Sequence, residues 1–305
     1  MQGKSERIRF VRGMVRNPEK VREFSMAHDF VLSGTFADVL NDARVQAVVL
    51  ATPHSLHVAQ IIAVARAGKA VLCEKPLALT RADAERALDA CEAAGVLLGV
   101  GHDKRHLPSM RELKRVVDSG ALGDVLHVEG NSSNEVSLQH YSPWRESPAE
   151  APGVSMTATG IHIIDAFVNL NGPVKRVQAQ AIIVKPAPGP IDSVTVMLEF
   201  ANGASGVICS ARPTPYFWRV HVFGTKGSAE ALGETELVVR MSGEKPRRVE
   251  LEPVDQVRVE LEIFADAVTG RAPYPMTAKQ IVETVAVFEA AAKSMESGAA
   301  VVVGE

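Results

Sequence analysis

The chain lacks any excess of basic residues. Its 33 Lys and Arg stand against 36 Asp and Glu, for a formal net charge of −3 over 305 residues. That balance leaves no electrostatic footprint for nucleic acid or for an anionic membrane surface. The longest apolar runs are only strand-length, which excludes a transmembrane helix of the usual span. The opening Met1-Gln2-Gly3-Lys4-Ser5-Glu6-Arg7 lacks the apolar stretch of a secretory signal. Cysteine is scarce, and Cys73, Cys91 and Cys209 have neither metal-ligand nor disulfide-framework spacing, so reduced thiols and a cytoplasmic location are expected. No His/Cys/Asp cluster has ligand spacing, so no metal is expected and a metal hydrolase is disfavoured. Internal repeats and low-complexity tracts are absent as well.

Hydrophobic residues make up 46% of the chain, ample for a core, and the length suggests two domains, 1–106 and 107–305. Up to about His106, short apolar strands alternate with helices. Strands are expected at 8–15, 46–51, 70–73 and 96–100, and helices at 18–28, 55–67 and 81–94. This alternation implies a doubly wound parallel sheet. Thr80 with Asp83 forms an expected capping box, and Gly95 ends that helix. Beyond Pro108 the pattern changes. A helix with Met110, Leu113, Val116 and Val117 on one face precedes a polar loop, a helical stretch at Gly160-Ile161-His162, and strands at 176–184, 193–200, 204–211, 219–223, 237–241 and 247–251. Asn202-Gly203 is a hairpin signal, and Gly224-Thr225-Lys226-Gly227 a second turn. Lys185–Pro190 reads as a Pro-rich loop. Helices at 257–269 and 278–295 close the chain. The second part is therefore expected to be an α+β unit with a large, mostly antiparallel sheet.

Three segments carry the chemistry. Ala70-Val71-Leu72-Cys73-Glu74-Lys75-Pro76 is a strand that delivers a lysine into an X-Pro turn. Proline keeps Lys75 out of the helical region, at the carboxyl edge of the sheet, where open α/β folds bind ligands. By itself Lys75 is equally readable as a surface residue. Val48-Val49-Leu50-Ala51-Thr52-Pro53-His54, with His57 three residues on, is a second strand ending in an X-Pro turn. Gly160-Ile161-His162-Ile163-Ile164-Asp165 sets a His and an Asp three apart on a helix, where His162 is either a packed helix residue or a base.

In this order and spacing the three segments resemble the glucose–fructose oxidoreductase/inositol dehydrogenase (Gfo/Idh/MocA) family of NAD(P)-dependent oxidoreductases. The resemblance implies a Rossmann-like sheet followed by an α+β domain, and hydride transfer between a nicotinamide cofactor and a sugar, polyol or related hydroxy compound. It implies Lys75 and His162 as proton-handling groups, and Thr52, Pro53, His54, His57, Glu74, Lys75 and Pro76 around the cofactor. It also implies His102, Arg105, Trp144, Arg145, Thr159 and Asp165 near the substrate, with the Tyr141-Ser142-Pro143 segment beside them. His102 and Arg105 are equally readable as loop anchors, and Asp165 either orients His162 or supports packing. A homo-oligomer, dimer or tetramer, is implied too, with the second-domain sheet as its interface.

The chain departs from the family pattern in two places. Ala158 stands where many members carry an Asp four residues before the His, so a Lys–Asp–His trio is not intact. No Gly-x-Gly-x-x-Gly phosphate loop occurs anywhere, and the one pair at short spacing, Gly99 and Gly101, continues to Lys104. The first visible strand resembles the family's second, so the family's first β-α unit is expected to be missing. That leaves an alternative, a cofactor-incompetent fragment or a non-catalytic oligomeric binding protein. At the end of that strand Val15 stands where an acidic residue would bind the ribose 2′-hydroxyl, and Arg16 follows it. That leans toward NADP, with NAD still possible.

Overall fold

The computed structural model describes residues 3–134, 143–186 and 189–304. The first part contains β1 (Arg12–Met14), α1 (Arg22–Ala27), β2 (Val31–Ser33), α2 (Phe36–Asn41), β3 (Ala47–Leu50), α3 (His57–Arg66), β4 (Ala70–Glu74), α4 (Arg81–Ala93) and β5 (Leu98–Gly101). The strands do not form one sheet. β1 pairs in parallel with β2, while β3, β4 and β5 form a separate parallel sheet.

The expected strand 8–15 shortens to Arg12–Met14 because only these residues find ladder partners, Val31 to Ser33. Upstream, Ile8 and Phe10 pack instead against the cluster of Ala70, Leu72, Leu261 and Phe264 on one face of the three-stranded sheet. The β1–β2 pair is tied to that sheet by α2, whose Val39 lies in the core with Val48 and Leu50. Asp42 reinforces the joint by pairing with Arg44 and with Arg12 of β1, which hold its carboxyl far below the usual carboxylate range. The Lys69 ammonium donates to Val45 O at 2.6 Å and to Asp42 O at 3.0 Å. The neighbouring edges remain partly open: Met14 of β1 is 43% exposed and Val49 of β3 is 44% exposed, whereas strands inside a parallel sheet are covered on both faces.

The second part continues with α5 (Pro108–Asp118), β6 (Val125–Ser133), α6 (Ile161–Asn171), β7 (Val174–Lys185), β8 (Ile191–Phe200), β9 (Ser205–Arg212), β10 (Phe217–Gly224), β11 (Gly227–Leu232), β12 (Glu236–Met241), β13 (Arg247–Glu250), α7 (Gln256–Val268), α8 (Ala278–Ser297) and β14 (Val301–Val302). Nine strands form one sheet in the order β13-β12-β11-β10-β6-β9-β8-β7-β14, antiparallel except at β6–β9. Strict alternation in β8 and β9 turns Val194, Val196, Leu198 and Ile208 inward against α6 and α8, with Phe167 and Phe288 in the same core. The Asn202-Gly203 turn joins β8 to β9 as expected, with Gly203 at φ +88°.

Five elements were not legible as such, and two of them, β2 and β14, are simply too short to carry a pattern. β6 has a polar sequence, yet it is central, paired to β10 and β9, and its His127, Glu129 and Asn131 face away from the core. β11 is too small and mixed to show a strand pattern. α2 is short, and its start is fixed by a reciprocal capping box between Thr35 and Asp38. At the expected box on α4, the Thr80 hydroxyl accepts from Asp83 N, but no return bond to the Thr80 backbone forms. The full box instead starts α8, at Thr277 and Gln280.

Candidate active site

The parallel register sets Leu50 of β3 beside Cys73 of β4, so both X-Pro turns emerge at the same carboxyl edge. The Lys75–Pro76 peptide is cis. His57, the first residue of α3, is wholly buried, with ring nitrogens 2.8 Å from Pro76 O and 2.9 Å from Thr52 O. It ties the two turns together and is not among the residues that line the cavity above them. Thr52 sits beside Gln60, with 2.5 Å between Oγ1 and Oε1.

Above these turns lies a cavity of about 410 Å³ lined by Thr52, His54, Glu74, Lys75, Asn134, Arg145, Thr157, Ala158, Thr159 and Arg212, with Ala51, Ala151 and Val154. Of the expected site residues, the structure thus gathers Thr52, His54, Glu74, Lys75, Arg145 and Thr159. Lys75 reaches into it, and its Nζ donates to Ala158 O at 2.6 Å. Burial pushes the Lys75 ammonium below its ordinary range, and Arg145 and Lys104 push the same way, while Glu74 and Asp103 partly offset them. Ala158 belongs to a π-helical turn, Met156–Gly160, that leads directly into α6. Such wide turns recur at functional sites because they displace carbonyls from the regular ladder. Here the carbonyl that accepts from Lys75 belongs to the residue that stands where many family members carry an Asp. Thr159 lines the cavity, but its hydroxyl donates to Ser155 O at 2.9 Å and lies 2.8 Å from Ser210 Oγ, so it is held by the protein.

One wall comes from the segment after β6. Trp144 stands edge-on to His54 with centroids 4.9 Å apart, and the Arg145 guanidinium lies 4.6 Å from the Trp144 ring centre. Tyr141 and Ser142 lie outside the described residues. Glu150 fastens this wall to the second X-Pro turn: its O lies 2.6 Å from His54 Nδ1, and its carboxylate accepts from Ser55 N at 3.0 Å and from the Ser55 hydroxyl. Burial lowers His54 to about 4, so it is neutral at neutral pH.

His102, Arg105 and Asp165 sit behind this cavity. Arg105 clasps the 1%-exposed Asp165 with two hydrogen bonds of 2.7 Å, and His102 Nε2 lies 3.8 Å from the same carboxylate. Burial alone would raise Asp165, but Arg105 and His102 outweigh it and its net shift is downward. These three residues therefore brace the turn after β5 against α6, and none of them is among the residues that line the cavity. His162 is also set back: it is 8% exposed, one turn beyond Ala158, and its Nδ1 is enclosed without a hydrogen-bond partner. Burial, then Lys75, His102 and Lys104, hold it well below its ordinary value. Arg16 is exposed beyond the end of β1 and is not among the residues that line the cavity.

Asn134 and Arg212 escaped the sequence reading, whereas Thr157 was open there to a substrate or a structural role. For Arg212 a signal existed: it is an inward-facing charge in register with Asp192, and the two form a buried ion pair. Among the described residues, no group of three or more His, Cys, Asp or Glu could hold a metal.

Residues 3–102 match the oxidoreductase family with an NAD-binding Rossmann fold, and residues 110–230 match the GFO/IDH/MocA C-terminal domain. The chain belongs to the Gfo/Idh/MocA family of oxidoreductases. It is 29% identical over 294 residues to an uncharacterised oxidoreductase, YrbE, of Bacillus subtilis, covering 92% of this chain and 84% of that protein. It is 31% identical over 218 residues to myo-inositol 2-dehydrogenase of Thermotoga maritima, covering 69% of this chain and 64% of that protein. Its fold superposes with TM-score 0.86 on the crystal structure of a putative NADPH-dependent oxidoreductase from Desulfitobacterium hafniense, at 28% identity, over 99% of this chain and 92% of the other.

Proposed function

We propose that the cavity above the two X-Pro turns is the active site of a dehydrogenase or reductase for a sugar, polyol or related cyclic hydroxy compound. The observation that carries this reading is Lys75, buried and aimed into the cavity from the carboxyl edge of β4. The kinship with a myo-inositol dehydrogenase supports the substrate class. Bound nicotinamide supplies the hydride acceptor or donor. With a hydride acceptor of that kind bound, the task left to this chain's residues would be the hydroxyl proton, which departs as the alcohol becomes a ketone and returns in the reverse direction.

Lys75 takes or returns the hydroxyl proton. Its lowered affinity for a proton suits that exchange nearer neutral pH than a solvated lysine would allow. The Ala158 carbonyl holds the charged form, and His162, one turn behind, takes the proton on from Lys75 at a ring nitrogen and leaves the amine neutral. Thr52, Pro53, His54, Glu74 and Pro76 border the nicotinamide end. Trp144 and Arg145 form the wall against which the sugar ring lies, the guanidinium fork suiting hydroxyls or a carboxylate. The phosphate end is less complete, since no Gly-x-Gly-x-x-Gly loop is present and β1 is not paired to β3.

Arg16 following Val15 at the end of β1 favours NADP. Arg16→Glu is expected to weaken NADPH binding about tenfold or more and leave NADH binding nearly unchanged, read by nicotinamide fluorescence. The activity itself is tested by mixing the chain with either oxidised coenzyme and a set of cyclic polyols and sugars. Appearance of reduced nicotinamide with at least one of them is expected, and none with any would count against the reading. A second copy of the chain is the partner we assign to the outer face of the nine-stranded sheet, within a cytoplasmic homo-oligomer.

A further inference from the structure

His162 presents an anomaly that its assigned role does not explain. Its Nδ1 is enclosed in the protein and has no hydrogen-bond partner, although a buried polar atom left unmatched costs about 1–3 kcal/mol. A carboxylate lies just beyond hydrogen-bond reach of it. Asp103, first residue of the helical turn Asp103–His106 after β5, brings Oδ1 to 3.8 Å from that nitrogen. Its other oxygen, Oδ2, is 3.3 Å from Lys104 Nζ, which leaves Oδ1 for the imidazole. The contact is longer than a hydrogen bond, as pairs in ligand-free sites often are before they tighten around substrate. The other groups facing the ring are Lys75 from the end of β4, Lys104 from the same turn as Asp103, and His102, whose ring stands edge-on at 5.9 Å. Two of these are cations and His102 is occupied with Asp165, so Asp103 is the carboxylate available to His162.

We propose that Asp103 is a positioning residue for His162: its carboxylate accepts the Nδ1 proton and so fixes the tautomer in which Nε2 is the basic nitrogen. The inference rests on the reading of His162 as a proton-handling group. It follows from imidazole chemistry, because a neutral ring has one donor and one acceptor, and the partner of the first selects the second. A carboxylate in this place also stabilises the imidazolium formed when Nε2 takes a proton, as in catalytic triads. The arrangement accounts for an acidic residue among two lysines at the back of the site, where an aliphatic side chain would leave Nδ1 unmatched and an amide could present its NH₂ as readily as its oxygen.

The test compares wild type, Asp103→Asn, Asp103→Glu, His162→Gln and the Asp103→Asn/His162→Gln double variant, all checked for equal thermal stability. Nitrogen NMR of ring-labelled histidine is the readout that needs no substrate. Wild type should show His162 protonated at Nδ1 alone, and Asp103→Asn a mixture or the reversed tautomer. In turnover, Asp103→Asn should lower kcat about 10- to 100-fold, the worth of one charge-assisted hydrogen bond, with KM and coenzyme affinity little changed. Its acid limb in the kcat–pH profile should move to lower pH, since the carboxylate that favours the imidazolium is gone. Asp103→Glu should recover part of the loss, and the double variant should be no worse than His162→Gln alone. An unchanged His162 tautomer, kcat and pH profile in Asp103→Asn, beside an impaired His162→Gln, would overturn the role of Asp103 and leave that of His162 standing. Wild-type kcat in His162→Gln would overturn the reading of His162 and this inference with it.

Discussion

Glu260 of α7 shows at the scale of one residue what surrounds the site. It is 5% exposed, its Oε1 has no partner, and burial followed by Asp103, Glu74 and Asp165 raises its carboxyl to about 9. It is therefore a neutral acid at neutral pH. An unfolded glutamate loses its proton near 4.5, so between there and about 9 the folded state holds a proton that the unfolded state has released. Stability consequently falls as pH rises through that window. Glu260→Gln carries no such penalty, and is expected to exceed wild type by about 1–3 kcal/mol near pH 8, with the advantage gone near pH 5. Thermal melts at the two pH values measure the difference, and parallel curves for both proteins would contradict the assignment. Residues were also where the sequence was least informative about role. His57, Arg105 and Asp165 carry chemistry-bearing groups at expected positions, but their partners come from distant segments, Pro76, Asn169 and Gln280 among them. Whether a side chain faces a cavity or its own scaffold depends on those partners, which no spacing reveals.

Among elements, α6 is the one whose placement decides the site, and β6 sets it. A Cβ added at Gly130 of β6 would stand 2.2 Å from Ile163 and 3.0 Å from Phe167, so the helix lies closer to the sheet than any side chain permits. Gly130→Ala is expected to cost about 1–3 kcal/mol by overpacking and to displace α6 with His162 and the π turn. A fall in Tm together with a fall in kcat checks it, and a variant with wild-type Tm would show that the helix has room to spare. Elements with a strong period were legible. α3, α4, α7 and α8 and strands β7 to β10 fall within a few residues of their expected bounds, because each buries a regular face. β6 and β2 were not, since a central strand with a polar outer face and a three-residue strand carry too little pattern. The π turn was equally hidden, because its sequence Met156-Thr157-Ala158-Thr159-Gly160 differs in nothing from a helix start.

At the scale of the whole molecule, two surfaces stand out. The outer face of the nine-stranded sheet exposes Met197 and Phe217, at 53% and 46%, beside the ion-pair network of Arg219 with Glu129 and Glu230. If this face meets a second copy, Met197→Asp should shift the protein toward monomer in light scattering while leaving Tm at low concentration near wild type, and an unchanged mass would place the contact elsewhere. The other surface is the gap between the β1–β2 pair and the three-stranded sheet. Ile8 and Phe10, which the sequence places in the first strand, turn back onto the core there.

The central claim is that Lys75 handles the substrate proton in a nicotinamide site on this chain. The most direct measurement is coenzyme binding and polyol-dependent reduction of the coenzyme by wild type and by Lys75→Ala, side by side. The account predicts that both bind the coenzyme, and that turnover falls about 10²- to 10⁴-fold in the variant, the usual share of a positioned acid–base group. Turnover in Lys75→Ala equal to wild type would contradict it.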